Sequence, residues 1–104
     1  MSSGQIRFDF EQAKRQAQKL DDVADRLEEL ANKKVENARQ ELPNYWQGTS
    51  ARAFQGKQGE LKDAILKSAR DLHGEANRIR RIAQIIYEAE MEAWRIANER
   101  TYNV

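Results

Sequence analysis

The chain has 104 residues, the size of one structural unit with no separate regulatory domain. Charged residues make up 34% and apolar ones 39%, and 18 basic against 17 acidic side chains leave a formal net charge of +1, so no global electrostatic pull toward nucleic acid or anionic lipid is expected. There are no cysteines, which excludes disulfide frameworks, thiolate zinc sites and cysteine nucleophiles. Val, Ile and Leu come no more than two in a row, as at Ile65-Leu66 and Ile85-Ile86. That excludes a transmembrane helix and a cleaved signal-peptide core, so any export is expected to proceed without an ordinary signal.

The first arm places apolar residues at Ala13, Ala17, Leu20, Ala24, Leu27, Ala31, Val35, Ala38 and Leu42. Spacings of three and four make this one stripe of an amphipathic helix. With Asp9 as N-cap, helix one is expected over about 9–41. Leu42-Pro43-Asn44-Tyr45-Trp46-Gln47-Gly48-Thr49-Ser50 breaks the pattern. Pro43 disfavours a helical Leu42 and Gly48 readily supplies an unusual backbone angle, so residues 42–50 read as a turn. Helix two, capped by Thr49 or Ser50, is expected over about 50–98. Its stripe runs Phe54, Leu61, Ile65, Ala69, Leu72, Ala76, Ile79, Ala83, Ile86, Ala93 and Ala97, with Gln58 and Glu90 at two positions where the spacing calls for an apolar residue. No strand-period alternation occurs.

At about 1.5 Å per residue helix one spans roughly 50 Å and helix two roughly 72 Å. Folded back, helix one is expected to cover helix two only to about position 83. Ile86, Tyr87, Ala93 and Trp94 would then lack an intrachain partner.

The turn carries the most specific motif, Trp46-Gln47-Gly48 followed by Ala51 and Phe54 at helical spacing. Here the sequence resembles the WXG-100 superfamily, the roughly hundred-residue ESAT-like substrates and partners of type VII secretion, along essentially the whole chain. Trp46 is expected to staple the hairpin, and the resemblance adds a recognition role for the same ring. The family's carboxy-terminal signal, Tyr-X-X-X-Asp/Glu, is not met, since Tyr87 is followed four residues later by Met91. A looser family pattern, hydrophobic-XXX-acidic-XX-hydrophobic-XXX-hydrophobic, is met by Ile86, Glu90, Ala93 and Ala97, which fall on one helical face with Tyr87 and Trp94 close by. The departure leaves open whether the chain carries its own export signal or relies on a partner's.

Arg78, Arg80 and Arg81, followed by Glu88, Glu90 and Glu92, read as a solvated face and not as a nucleic-acid site, because the neighbouring acids would repel phosphates. His73 is the only histidine and lacks a second histidine or a patterned carboxylate pair, so a surface or interface role is the default. No catalytic, metal or cofactor constellation is expected, and the chain reads as no enzyme.

The resulting expectation is an all-α helix-turn-helix hairpin that dimerises into an antiparallel four-helix bundle. The dimer stripe would comprise Leu20, Leu27, Leu61, Ile65, Leu72 and Ile79. A homodimer fits the stripe and the balanced charge, with a heterodimer of paralogues as the rival. The resemblance implies a small helical protein exported by, or adapting cargo for, a type VII system and read by its membrane ATPase. It would be cytoplasmic before export and extracellular afterwards. The alternative is a cytosolic chaperone for the helical leader of a larger toxin.

Overall fold

A computed structural model describes residues 2–41 and 48–102. The chain is an all-α helical hairpin. Helix α1 is Ser3–Glu29, a π-helical segment Leu30–Val35 continues it, and α2 is Glu36–Gln40. Helix α3 is Thr49–Tyr102. Among the described residues there is no strand, and no helix is long and apolar enough to cross a membrane.

The first helix starts earlier than Asp9. The Gln5 amide donates to Ser2 Oγ at 3.1 Å and the Ile6 amide to the Ser2 carbonyl at 3.1 Å, so Ser2 is the cap. Asp9 lies inside the helix, where its Oδ1 accepts from Gln5 Nε2 at 2.9 Å. The extra turns are stabilised by Ile6 and Phe10, which carry the apolar spacing back from Ala13 and Ala17. At the other boundary, Gly48 has φ +100°, a left-handed conformation that glycine adopts without the Cβ penalty. Its carbonyl accepts the Arg52 amide at 3.1 Å, which puts the cap of α3 one residue ahead of Thr49. The helix runs past the expected end at 98 to Tyr102. Trp46 and the rest of the turn over 42–47 lie outside the described residues.

The chain divides into two compact units. A terminal unit combines Met1–Leu20 with Gly74–Val104, and a central unit is Asp21–His73. Both are built on alanine. The buried side chains of the terminal unit are Ile6, Ala17, Ala76 and Ala83; those of the central unit are Ala24, Ala31, Ala51 and Ala69. Ala17, Ala24 and Ala31 recur every seventh residue, as do Ala69, Ala76 and Ala83, the period of a coiled-coil seam, here filled with the smallest side chain that still packs. No large side chain is fully buried among the described residues.

The single stripe read from the sequence is therefore two. Three residues after Ala17, Ala24, Ala69 and Ala76 stand Leu20, Leu27, Leu72 and Ile79, and a step of three on a helix moves the side chain to the flank of the seam. Those four, with Ile65, are half-buried, and Leu61 is 52% exposed. The pattern also fails at Ala38, which is exposed. The π-helical segment holds an extra residue per turn, so side chains beyond it rotate away from the register of Ala24 and Ala31. Glu36 is half-buried instead, and its Oε2 lies 3.4 Å from Lys62 Nζ on α3.

Candidate recognition surfaces

In the terminal unit, the start of α1 packs on the last third of α3. Phe10 and Tyr87 stack with ring centroids 4.6 Å apart at 28°, an offset geometry favoured by the ring quadrupoles. Lys14 Nζ lies 4.7 Å from the Phe10 centroid, a cation over the ring face. A groove lined by Ile6, Phe10, Ala13, Ala83, Ile86, Tyr87 and Glu90 continues into a second hollow lined by Ile6, Glu90, Ala93, Trp94 and Ala97. The expectation that the tail beyond about position 83 has no intrachain partner is thus corrected: starting α1 at Ser3 brings Ile6 and Phe10 to it.

Of the tail residues singled out from the sequence, Tyr87, Glu90 and Trp94 are half-buried, whereas Ile86, Ala93 and Ala97 are exposed. Ile86 keeps 50% of its surface in solvent, next to Ile82 and Ile85, which are exposed as well. One hollow brings Glu90, Ala93, Trp94 and Ala97 together. Further along, Arg95 Nε donates to Glu92 Oε2 at 3.0 Å and its guanidinium also pairs with Glu99. Those bonds hold the Glu92 carboxyl below the usual carboxylate range and push the Arg95 guanidinium up.

In the central unit, Ala51 is buried and Phe54, three residues on, is 40% exposed. Both sit in the first turns of α3, just after Gly48. Val23 and Leu30 on the α1 side are exposed too.

His73 also belongs to the central unit, and here sequence reasoning missed the constellation. Its Nδ1 lies 2.7 Å from Asp21 Oδ1, and its Nε2 lies 3.0 Å from Glu28 Oε1 and 3.4 Å from Asp25 Oδ1. The hydrogen bond to Asp21, then those of Glu28, raise the imidazole above its ordinary pKa against the opposing cost of desolvation. The signal was present as Asp21, Asp25 and Glu28, spaced four and three along one face of α1, but it points to His73 only once the hairpin register is known. Arg78 Nη1 donates to Glu75 Oε1 at 2.7 Å and Arg80 Nη1 to Asn77 Oδ1 at 3.1 Å, which are local contacts along α3.

The sequence, which carries Trp46-Gln47-Gly48, matches the family model described as proteins of 100 residues with WXG, over residues 5–99. The chain belongs to the WXG100 family. WXG100 proteins are small helical proteins of the type VII secretion kind that typically form dimers, and they are not known enzymes. No curated protein and no solved structure gives a significant match.

Proposed function

We propose that this WXG100 protein is a secreted substrate or co-secreted adaptor of a type VII system and acts as an antiparallel four-helix dimer. The observation that carries the reading is the family match over residues 5–99 on a hairpin whose interior is nearly all alanine. An alanine seam buries little apolar area, and the larger residues Leu27, Leu61, Ile65 and Leu72 are left on its flanks. A second hairpin laid against those flanks would supply the missing core. A homodimer is the simpler assembly, since one chain provides complementary flanks, with a paralogue as the alternative partner.

In this reading the secretion ATPase recognises Trp46 of the Trp46-Gln47-Gly48 motif and the tail residues Ile86, Tyr87, Glu90, Ala93, Trp94 and Ala97. Glu90 is an acidic group framed by Ile6, Ala93, Trp94 and Ala97, so a basic residue of the receptor could pair with it while its apolar neighbours exclude water. Export in the native host tests this. Trp46→Ala and Glu90→Ala are expected to shift protein from the medium to the cytosol, and unchanged export of both overturns the assignment. Light scattering of the purified chain at micromolar concentration is expected to give twice 12.1 kDa; a folded monomer overturns the dimer.

A second reading, a chaperone that escorts a toxin's helical leader, is favoured by one feature. Tyr87 is followed four residues later by Met91 and not by an acidic residue, and its ring is engaged by Phe10, so in this reading a partner supplies the signal. A toxin gene beside this one, and retention of the chain in the cytosol while the toxin is exported, would select that reading.

A further inference from the structure

The central unit brings together a constellation that the proposed function leaves unused. His73 on α3 faces three carboxylates of α1: Asp21 on its Nδ1 side, and Asp25 and Glu28 on its Nε2 side. A carboxylate accepts and does not donate, so when the ring carries one proton the shorter contact, 2.7 Å to Asp21 against 3.0 Å to Glu28, favours Nδ1 as its place. In that neutral ring Nε2 is an acceptor close to two carboxylate oxygens, at 3.0 Å and 3.4 Å, so three acceptors are held within 4.8 Å of one another. Such a cluster calls for a cation.

The spacing fits a metal ion. For bonds of about 2.0–2.1 Å to nitrogen and oxygen, a tetrahedral centre sets its ligand atoms about 3.3–3.4 Å apart. Nε2 lies 3.4 Å from Asp25 Oδ1 and 3.0 Å from Glu28 Oε1, and the ligand atoms of all three residues lie within 4.8 Å of one another. One imidazole with two carboxylates is a mixed set suited to zinc and its first-row neighbours, whereas calcium requires six or more oxygens. Asp21 stands where a second carboxylate orients a metal-bound histidine through its other nitrogen. Asp25 is 67% exposed, so a fourth position opens to solvent.

We propose that Asp25, Glu28 and His73 bind one divalent transition-metal ion of the zinc class, with Asp21 as the positioning residue, pinning α1 to α3 in the central unit. Titration of the tag-free, EDTA-treated full chain with zinc chloride is expected to show one ion bound per chain at micromolar concentration. Magnesium chloride should give none. His73→Gln is expected to weaken binding more than a hundredfold, Asp25→Asn with Glu28→Gln at least tenfold, and Asp21→Asn about tenfold. In wild type, saturating zinc should raise the melting temperature by about 10 °C, and EDTA should reverse it. Circular dichroism confirms that each variant is helical before titration. No binding up to millimolar zinc by the folded chain overturns the proposal and leaves a proton as the cation at Nε2. Zinc binding undiminished in His73→Gln also overturns it, by placing the ion elsewhere. Neither result bears on export or dimerisation.

Discussion

The terminal and central units share one kind of interior and differ at its edges. Each buries alanines at seven-residue spacing, a packing that contributes only about 0.8 kcal/mol per methyl-sized group and distinguishes poorly between registers, because one alanine fits where another does. Register must be supplied by the flanks. The terminal unit supplies it with aromatic surface, Phe10 stacked on Tyr87 at 4.6 Å and Ile6 buried beside them. The central unit supplies it with charge, His73 among Asp21, Asp25 and Glu28, and Lys62 opposite Glu36. Phe10 faces Tyr87 within the terminal unit, and Asp25 faces His73 and Glu36 faces Lys62 within the central unit, so each unit holds its own antiparallel helix pairing with a different device. They should respond to different perturbations, one to loss of apolar area and the other to pH and salt.

The largest effect is expected from breaking what the units share. Ala24→Leu in the central unit and Ala76→Leu in the terminal unit each insert three carbons where the relative exposure is 0%. Overpacking of this kind costs about 1–3 kcal/mol. For a domain of this size that lowers the melting temperature by about 4–8 °C per kcal/mol. Thermal melts followed by circular dichroism check it. If either site accepts leucine without loss, the seam is not close-packed in that unit and the comparison fails at its base.

The helical stripes were legible because Ala17, Ala24, Ala69 and Ala76 recur at the helical period, which is a local property. Gly48 was legible for the same reason, since only its own backbone angle was at stake. The start at Ser3 was not: Asp9 is as good a cap as Ser2 taken alone, and the choice is made by Ile6 and Phe10 finding α3. Ala38 was misplaced because the π-helical segment is a response to packing and leaves no mark on Leu30-Ala-Asn-Lys-Lys-Val35. The sorting of Ala24 from Leu27 was half visible, since the seven-residue recurrence of alanine was there to read, but periodicity alone assigns both to one face. The His73 constellation joins residues 45 to 52 positions apart, and no local signal spans that distance.

A middling effect is expected from removing the aromatic device. Phe10→Ala or Tyr87→Ala should each cost about 1–2 kcal/mol, less than full burial would give because both rings are half-buried. Their coupling in a double-mutant cycle should fall at about 0.5–1.5 kcal/mol. The loss should be the same at low and high salt. A salt-dependent coupling would mean that the Lys14 charge over the Phe10 ring contributes to the pair, and the terminal unit would no longer hold its register by aromatic surface alone.

The smallest effect, and the one that separates the units most cleanly, is the pH dependence of the metal-free chain in EDTA. His73 is raised above its ordinary 6.5 by its hydrogen bonds to Asp21 and Glu28, so the folded state binds its proton more tightly than the unfolded state does. The stabilisation is therefore fully present below about pH 6.5 and is lost as the pH rises through the raised value. Melting at about pH 6 should exceed melting at about pH 8.5 by a margin smaller than either packing change, since the ring is open to solvent screening. His73→Gln should abolish that difference while Phe10→Ala and Tyr87→Ala leave it intact. The opposite pattern, a pH dependence surviving in His73→Gln, would move the titrating edge out of the central unit and remove the contrast between an aromatic and a charged half.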